Sequence, residues 1–538
     1  MDTTSRSNEY LNLLASHGLL PAHQFPTRGS NCIDHVMVKS DFKTSTLVFD
    51  TAITDHCPVL VSLASSALLA TSKVKRTVIN YTAVIAEINE IDFSAVTGIQ
   101  EADEAAELLV STIKMVVDKH TKVVISSSKH RIFKPWITPG LLRCIRNRDQ
   151  MNCKVNKEPN NYILKITYIR YRNFCNKLLK NLKIAYEKTE FESAKNNPKA
   201  TWNIIKQITN TNRPVSTSSE LLSVSPDNLT AVNGVNDFFS NIGKSLAEKL
   251  MATAPHTVVQ TEVAQSPHSF ALLPTDEAEV QSIIFGLRTD CAVGWDGISP
   301  KILKCCSSVL VPIITHICNC SISSGCFPKV FKKAVVHPIY KAGDKRDVNN
   351  YRPISVLPSI SKILEKILNK RLIKYLESHK ILAANQYGFR TGRSAEDAVA
   401  GFVDHTVGLL DSGKKCLGIF LDLSKAFDTV CVPQLLRKLE GQGVRGHALK
   451  IFVDYLSDRT QCVKIDNVIS DSNSIVYGVP QGSVIGPTLF LLYINALCKL
   501  SIPNCSVFTY ADDTALLVHG DSWTHAFACA EQGLRSVM

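Results

Sequence analysis

The chain has 538 residues, 45% of them hydrophobic and 20% charged, and a formal net charge of +12. That length calls for about two to four domains, and the apolar content excludes a wholly disordered chain. The longest apolar run, Val59 to Ala70, falls short of the ~18 residues of a membrane span, and the polar N-terminus Met1-Asp2-Thr3-Thr4-Ser5-Arg6 lacks the apolar centre of a signal peptide. None of the 17 Cys are paired as C-x-x-C, so most thiols are expected to act as small apolar core groups in a reduced intracellular compartment.

Residues 1–65 hold two Asp-His pairs. Asn31-Cys32-Ile33-Asp34-His35-Val36-Met37-Val38 reads as a strand, and Thr54-Asp55-His56-Cys57-Pro58-Val59-Leu60 as a loop entering a strand. Such pairs can serve metal-assisted phosphodiester hydrolysis, with His as base and Asp as its orienter. The second pair resembles the last motif, Ser-Asp-His-x-Pro, of the endonuclease/exonuclease/phosphatase family, with Thr54 in place of Ser. The resemblance implies His56 as general base, Asp55 as its orienting partner and Asp34 as a further carboxylate. That family's four-layer α/β sandwich is far longer, and its metal-binding Glu and catalytic Asn and Asp have no counterpart here. Residues 1–65 are therefore expected to be a C-terminal remnant without nuclease activity.

Residues 66–268 form a helical, basic region. Glu101 to Lys119 has the apolar spacing of an amphipathic helix, and Thr138-Pro139 marks a helix start. Between Arg131 and Arg213 stand 18 Lys and Arg against five acids, a net +13 that leaves the remainder nearly neutral. Tyr162, Tyr168, Tyr171, Phe174, Tyr186 and Trp202 are interleaved with this charge. They suit either a nucleic-acid surface, where bases stack and phosphates pair, or the seam of a helical hairpin. Asn210 to Pro226 and Ala252 to Pro267 read as linkers flanking a helix from Asn233 to Leu250.

From about residue 269 the signals become dense. Lys329 to Tyr340 reads as a strand, followed by the charged turn Gly343-Asp344-Lys345-Arg346 and by Asn350-Tyr351-Arg352-Pro353-Ile354-Ser355. Lys341 and Arg352, on opposite arms, could clamp a triphosphate. After an amphipathic helix (Ile360 to His379), Asn385-Gln386-Tyr387-Gly388-Phe389-Arg390-Thr391-Gly392-Arg393-Ser394 reads either as a phosphate-binding loop or as a helix cap, with Ser394 as N-cap and Asp397 at N3. Residues 416–423 are almost all apolar, which predicts a buried strand delivering Asp422 at its end. Tyr477-Gly478-Val479-Pro480-Gln481-Gly482-Ser483 opens a helix from Gly486 to Leu497. Ninety residues after Asp422, Tyr510-Ala511-Asp512-Asp513 sits between two apolar runs, a hairpin with two carboxylates at its tip. Adjacent carboxylates are costly unless a cation joins them, and Mg²⁺ or Mn²⁺ prefer such oxygens.

Phe-Leu-Asp-Leu-Ser-Lys-Ala-Phe-Asp (420–428), Val-Pro-Gln-Gly-Ser (479–483) and Tyr-Ala-Asp-Asp (510–513), in that order, resemble the reverse transcriptases of non-LTR (LINE-type) retrotransposons. Asn-Asn-Tyr-Arg-Pro-Ile-Ser and Gln-Tyr-Gly-Phe-Arg look like the jockey and CR1 groups. The resemblance implies an α+β fold, the fingers and palm of a right-hand polymerase with an antiparallel palm sheet, truncated before the thumb and occupying residues 269–538. It implies RNA-directed DNA synthesis from dNTPs on an RNA template and a DNA primer or target. Asp422 and Asp512 would bind two Mg²⁺ ions (Mn²⁺ serving as well) with the carbonyl of Leu423, and Asp513 would support them. Phe427 would exclude a 2′-hydroxyl, Gln481 would contact the nucleotide near its ribose and base, and Lys341 and Arg352 would hold the triphosphate. Two other readings are an inactive nucleic-acid-binding fragment of such a polyprotein, and an RNA-templated RNA polymerase, against which Phe427 argues. No membrane partner is expected; nuclear access follows from the family's mechanism.

Overall fold

The computed structural model describes residues 5–17, 19–39, 44–51, 54–63, 75–125, 134–195, 197–209, 218–253 and 265–537. Arg131, Arg213, the second half of the Val59 to Ala70 run, residues 210–217 of the first linker and 254–264 of the second lie outside the described residues. Internal packing divides the chain into two units, Met1–Arg76 with Val123–Arg213, and Thr77–Lys122 with Pro214–Met538.

In the first unit, Thr44–Val48 and Val59–Leu63 pair antiparallel, and Leu20–Pro21 pairs with Met37–Val38. The expected strand from Asn31 shrinks to Met37–Val38. The reason is local: the Thr27 hydroxyl accepts from the N–H groups of Ile33 and Asp34 at 3.1 and 3.0 Å, bending that backbone away from a ladder. The basic region is a pair of helices, Pro139–Lys157 and Tyr162–Ser193, followed by Pro198–Ile208. Thr138 caps the first through Leu141 N with Pro139 at its first turn, and Asn161 caps the second through Leu164 N. The two helices pack on each other, and the Cys175 thiol donates to the Cys144 carbonyl. Tyr168 is buried in the helical pair, as in a hairpin seam, while Tyr162, Phe174 and Trp202 are exposed.

The second unit runs from helix α1 (Ala102–Lys119) through α2 (Asn228–Thr253), α3 (Glu277–Phe285) and α4 (Ser307–Ser324) to a hairpin of β1 (Lys333–Tyr340) and β2 (Tyr351–Val356). Then come α5 (Ser359–Ser378), α6 (Ala395–Asp411), β3 (Lys415–Leu421), α7 (Val432–Gly441), α8 (Gly446–Leu456) and the strands β4 (Arg459–Ile465), β5 (Val468–Ile469) and β6 (Asn473–Ile475). Helix α9 (Gly486–Cys498), β7 (Cys505–Tyr510), β8 (Asp513–Gly520) and α10 (Trp523–Val537) complete it.

One sheet has the order β5-β4-β1-β2 with β6 also on β4; β1 and β4 are parallel, the other pairs antiparallel. A second sheet, β7-β8-β3, is antiparallel throughout. The main core joins Leu109 and Ile113 of α1, Ile314 of α4, Leu364 and Leu368 of α5, Ile451 of α8 and Leu489 of α9. The core around the second half of the chain thus recruits α1, well before residue 269. Helix α4 is long and apolar enough to cross a membrane, but its Leu310, Ile313, Ile314 and Ile317 are buried in this core. Within the first linker Ser218–Val224 is a 3₁₀ helix, and its Leu221 is buried against Val232, Tyr351 and Val463. All 17 cysteines are free thiols.

One expectation is overturned. Strand β3 is not buried: it is the edge of its sheet, and Phe420 is 75% exposed. Alternation explains this. Leu417, Ile419 and Leu421 lie partly buried against Val507, Leu516 and Val518 on the α10 side, while Gly418 and Phe420 face the side of α6, a helix with no buried residue.

Candidate active site

The Tyr510-Ala511-Asp512-Asp513 segment is a hairpin turn. Cys505–Tyr510 pairs with Asp513–Val518 in register, Tyr510 opposite Asp513, which leaves Ala511 and Asp512 as the two-residue tip. Ala511 has φ 56, a left-handed conformation costing about 1–2 kcal/mol for a residue with a Cβ. A buried residue from the loop before α6 holds it there. Gln386 Oε1 accepts from Ala511 N at 3.0 Å and from Gly388 N at 2.7 Å, and Gln386 Nε2 donates to Ala511 O at 3.3 Å. Tyr387 N donates to Thr509 O and Thr509 N to Asn385 O, so residues 385–387 run beside β7 as an extra parallel segment. Gly388 is required by this approach, since a Cβ there would stand 2.2 Å from Ala511 N.

Strand β8 lies between β7 and β3 with Thr514 opposite Leu421, so Asp422, one residue on, emerges beside Asp513. Burial and then the charges of Asp512 and Asp422 push the Asp513 carboxyl above the usual carboxylate range. None of the three side chains has a hydrogen bond or ion pair to another described residue. Among the described residues, no three His, Cys, Asp or Glu side chains close on a common point that would hold a metal ion. A cavity of about 610 Å³ opens beside Asp422 and Asp513, lined by Val399, Phe402, Phe420 and Tyr510.

Phe427 stacks on Phe490 with ring centres 4.6 Å apart and meets the edge of Phe389 at 6.0 Å, so its ring is fixed from two sides. Gln481 is tied to its neighbours: its carbonyl accepts from Ser355 N, and its Nε2 lies 3.0 Å from each carboxylate oxygen of Asp428. In the β1–β2 hairpin Ile339 opposes Arg352, and Lys341 N donates to Asn350 O just past the ladder. Period-two alternation therefore puts Lys341 and Arg352 on one face; both are exposed, and neither has an ion-pair partner among the described residues. Lys425, from the turn after Asp422, reaches the carbonyls of Asn349 and Tyr351 next to Arg352.

Arg390 and Arg393 are not free for phosphate. Arg390 pairs with Glu377 at 2.6 Å and donates to Ala383 O, while Arg393 bonds Ala384 O and Gln386 O. They fix the loop that carries Gln386. The expected cap is complete, with Ser394 and Asp397 forming a reciprocal capping box for α6.

In the first unit, His56 is oriented differently from the expectation. Its Nδ1 lies 2.7 Å from Asp34 Oδ2, whereas Asp55 pairs with Arg28 at 2.8 Å. Arg28 engages Asp55, while Asp34 reaches the His56 ring from 22 residues earlier. The His56 hydrogen bond is the main cause that holds the Asp34 carboxyl below its usual range. Thr54 does what a Ser would do there, its hydroxyl accepting from His56 N at 3.2 Å.

Residues 340–535 match the family described as reverse transcriptase (RNA-dependent DNA polymerase). The chain is 30% identical over 284 residues to the probable RNA-directed DNA polymerase from transposon X-element of Drosophila melanogaster, a stretch covering 50% of this chain and 31% of that protein. It is 30% identical over 270 residues to the RNA-directed DNA polymerase from mobile element jockey of the same fly, covering 48% of this chain and 29% of the relative. The chain thus spans about three tenths of the length of the relatives it matches. A Candida albicans telomerase structure overlaps 38% of this chain and 40% of its own at 13% identity and a TM-score of 0.29. The matched segment, residues 340–535, holds Asp422 and the Asp512-Asp513 turn, and is similar to reverse transcriptase domains.

Proposed function

We propose that this chain is part of a non-LTR, jockey-like retrotransposon polyprotein and acts as an RNA-directed DNA polymerase, joining dNTPs to a primer 3′-hydroxyl. The observation that carries this is that three carboxylates without partners among the described residues, Asp422, Asp512 and Asp513, stand at the same end of one small sheet. Residues 269–538 would be its fingers and palm, 66–268 a basic helical extension, and 1–65 the endonuclease-like remnant.

The donor set fits a hard divalent cation. Burial raises the Asp513 carboxyl, and the charges of Asp512 and Asp422 add a repulsion that positive charge relieves. Asp422 and Asp512, with the Leu423 carbonyl, would hold Mg²⁺ or Mn²⁺, and Asp513 would support them. When bound, two such ions lower the pKa of the primer hydroxyl and neutralise the leaving pyrophosphate. Lys341 and Arg352 would bind the triphosphate from the exposed face of their hairpin. Gln481 would meet the nucleotide near its ribose and base. Phe427, held by Phe490 and Phe389, would lie under the sugar and leave no room for a 2′-hydroxyl. Phe427→Ala is therefore expected to raise ribonucleotide incorporation relative to deoxynucleotide by about tenfold or more in primer extension, from the loss of at least one steric contact worth about 1.4 kcal/mol. A variant with the original sugar preference would count against that role.

The exposed Tyr162, Phe174 and Trp202, among Lys and Arg that mostly lack acidic partners, support an RNA or DNA backbone as the partner of the basic helices. The second reading, a nucleic-acid-binding chain without turnover, is favoured by the carboxylates not closing on one point. Primer extension on poly(rA)/oligo(dT) with Mg²⁺, comparing the chain with Asp512→Ala, separates the two.

For residues 1–65 the proposal is an inactive remnant. The His56–Asp34 pair is formed. Supercoiled plasmid is expected to remain intact with the unmodified chain and with His56→Ala alike. Nicking that disappears in His56→Ala would show a working nuclease.

A further inference from the structure

Asp428 is half-buried and has no part in the mechanism above. Its N–H donates to Lys425 O at 2.9 Å, closing the turn that follows Asp422. Burial pushes its carboxyl up to about 6, against the opposing pull of Lys425 and Gln481. The loop carrying Gln481 is fastened to this turn by its backbone: Gly478 N donates to Val430 O, Val479 N to Phe427 O, and Ser355 N to Gln481 O. Gly478, at φ +88, permits the contact, since a Cβ there would stand 2.9 Å from both Phe427 O and Asp428 Cα. With its backbone fixed on both sides, Gln481 retains only its side-chain torsions, and Asp428 holds the far end of that side chain.

The chemistry of the pair decides which way the amide points. An ionised carboxylate can only accept, so Gln481 must turn its NH₂ toward Asp428, where Nε2 lies 3.0 Å from both oxygens. Gln481 Oε1 is then directed away, and among the described residues no donor reaches it. We propose that Asp428 is a positioning residue for the incoming nucleotide: by holding the Gln481 NH₂, it presents Gln481 Oε1 as a fixed acceptor to a hydroxyl or amino donor of the deoxynucleotide. This rests on the polymerase reading. Without Asp428 the amide is free to flip, and half of its orientations offer a donor to a donor.

The test is steady-state extension by the full chain carrying Asp428→Asn, Gln481→Ala or both. Asp428→Asn is expected to raise the dNTP KM about tenfold, as for one lost hydrogen bond, with kcat within about twofold. Gln481→Ala should do the same, and the double variant should be no worse than Gln481→Ala alone, because Asp428 acts through Gln481. A KM that rises for all four nucleotides but not for dideoxy analogues assigns the donor to the sugar hydroxyl; a rise that spares dTTP assigns it to a base amino group. An unchanged KM in Asp428→Asn, or effects that multiply in the double variant, overturns the proposal. A readout independent of turnover is the side-chain NH₂ signal of Gln481 in ¹⁵N-glutamine-labelled chain, identified by its loss in Gln481→Ala. That signal should shift in Asp428→Asn, and an unshifted signal overturns the proposal. If the unmodified chain incorporates no more than Asp512→Ala, the polymerase reading fails and the amide signal alone decides the Asp428–Gln481 link.

Discussion

Asp512→Ala is expected to reduce primer extension on poly(rA)/oligo(dT) with Mg²⁺ by about a thousandfold or more, and Asp422→Ala by a similar factor. The size follows from the charge these groups control. Holding a divalent cation over a developing alkoxide and a leaving pyrophosphate is worth several kcal/mol, and each ~1.4 kcal/mol is tenfold in rate. Neither loss should come from unfolding. Asp422 is exposed, Asp512 sits at a hairpin tip, and neither supplies a hydrogen bond to the fold. Removing one should even relieve the repulsion that raises Asp513, so thermal melting is expected to stay level or rise slightly. Asp513→Asn, which keeps the shape and removes one charge, should cost less than either. Incorporation by the unmodified chain no greater than by Asp512→Ala would leave the nucleic-acid-binding reading standing.

What could be read from the sequence was what local periodicity and ordered motifs encode. Apolar runs on both sides of Asp512-Asp513 specified the hairpin, and the register confirms it residue by residue. The Ser394/Asp397 and Thr138-Pro139 signals gave two helix starts correctly, because a cap depends on three or four neighbouring residues. What failed depended on partners far apart in the chain. Arg390 looked like a phosphate ligand because Glu377 lies on the preceding helix, and nothing local says that a guanidinium will fold back on it. Asp55 looked like the partner of His56 because it is adjacent, yet it pairs with Arg28, and His56 takes Asp34 from 22 residues earlier. The apolar run of β3 looked buried because composition cannot distinguish a central strand from an edge strand whose outer face meets a helix with no buried residue. Leu221 was hidden in a Ser- and Asn-rich stretch, and its burial depends on Val232, Tyr351 and Val463 from three other elements.

Gln386 shows the same limit within the active site, and its replacement should have the second largest effect. Gln386 opens the Gln-Tyr-Gly-Phe-Arg motif, but nothing local says that it is 2% exposed and lies beneath the turn that carries Asp512. Its amide meets three backbone groups, Ala511 N, Ala511 O and Gly388 N, in space too close for a Cβ on residue 388. Gln386→Leu keeps the volume and removes all three bonds. It strands buried donors at Ala511 and Gly388, each costing about 1–3 kcal/mol, and stops offsetting the left-handed strain at Ala511. We expect the unfolding midpoint in urea to fall by an amount corresponding to about 3 kcal/mol. Asp512 then loses its fixed place, and a displacement of about 1 Å at such a centre can cost a hundredfold in rate, so kcat should fall by roughly that factor. Gln386→Glu distinguishes support from bulk. A carboxylate can still accept from Ala511 N and Gly388 N but cannot donate to Ala511 O, so it should keep most of the activity that Leu loses. If Gln386→Leu polymerises at the original rate, the turn holds itself without Gln386, and the strain at Ala511 must be balanced by the β7–β8 ladder alone.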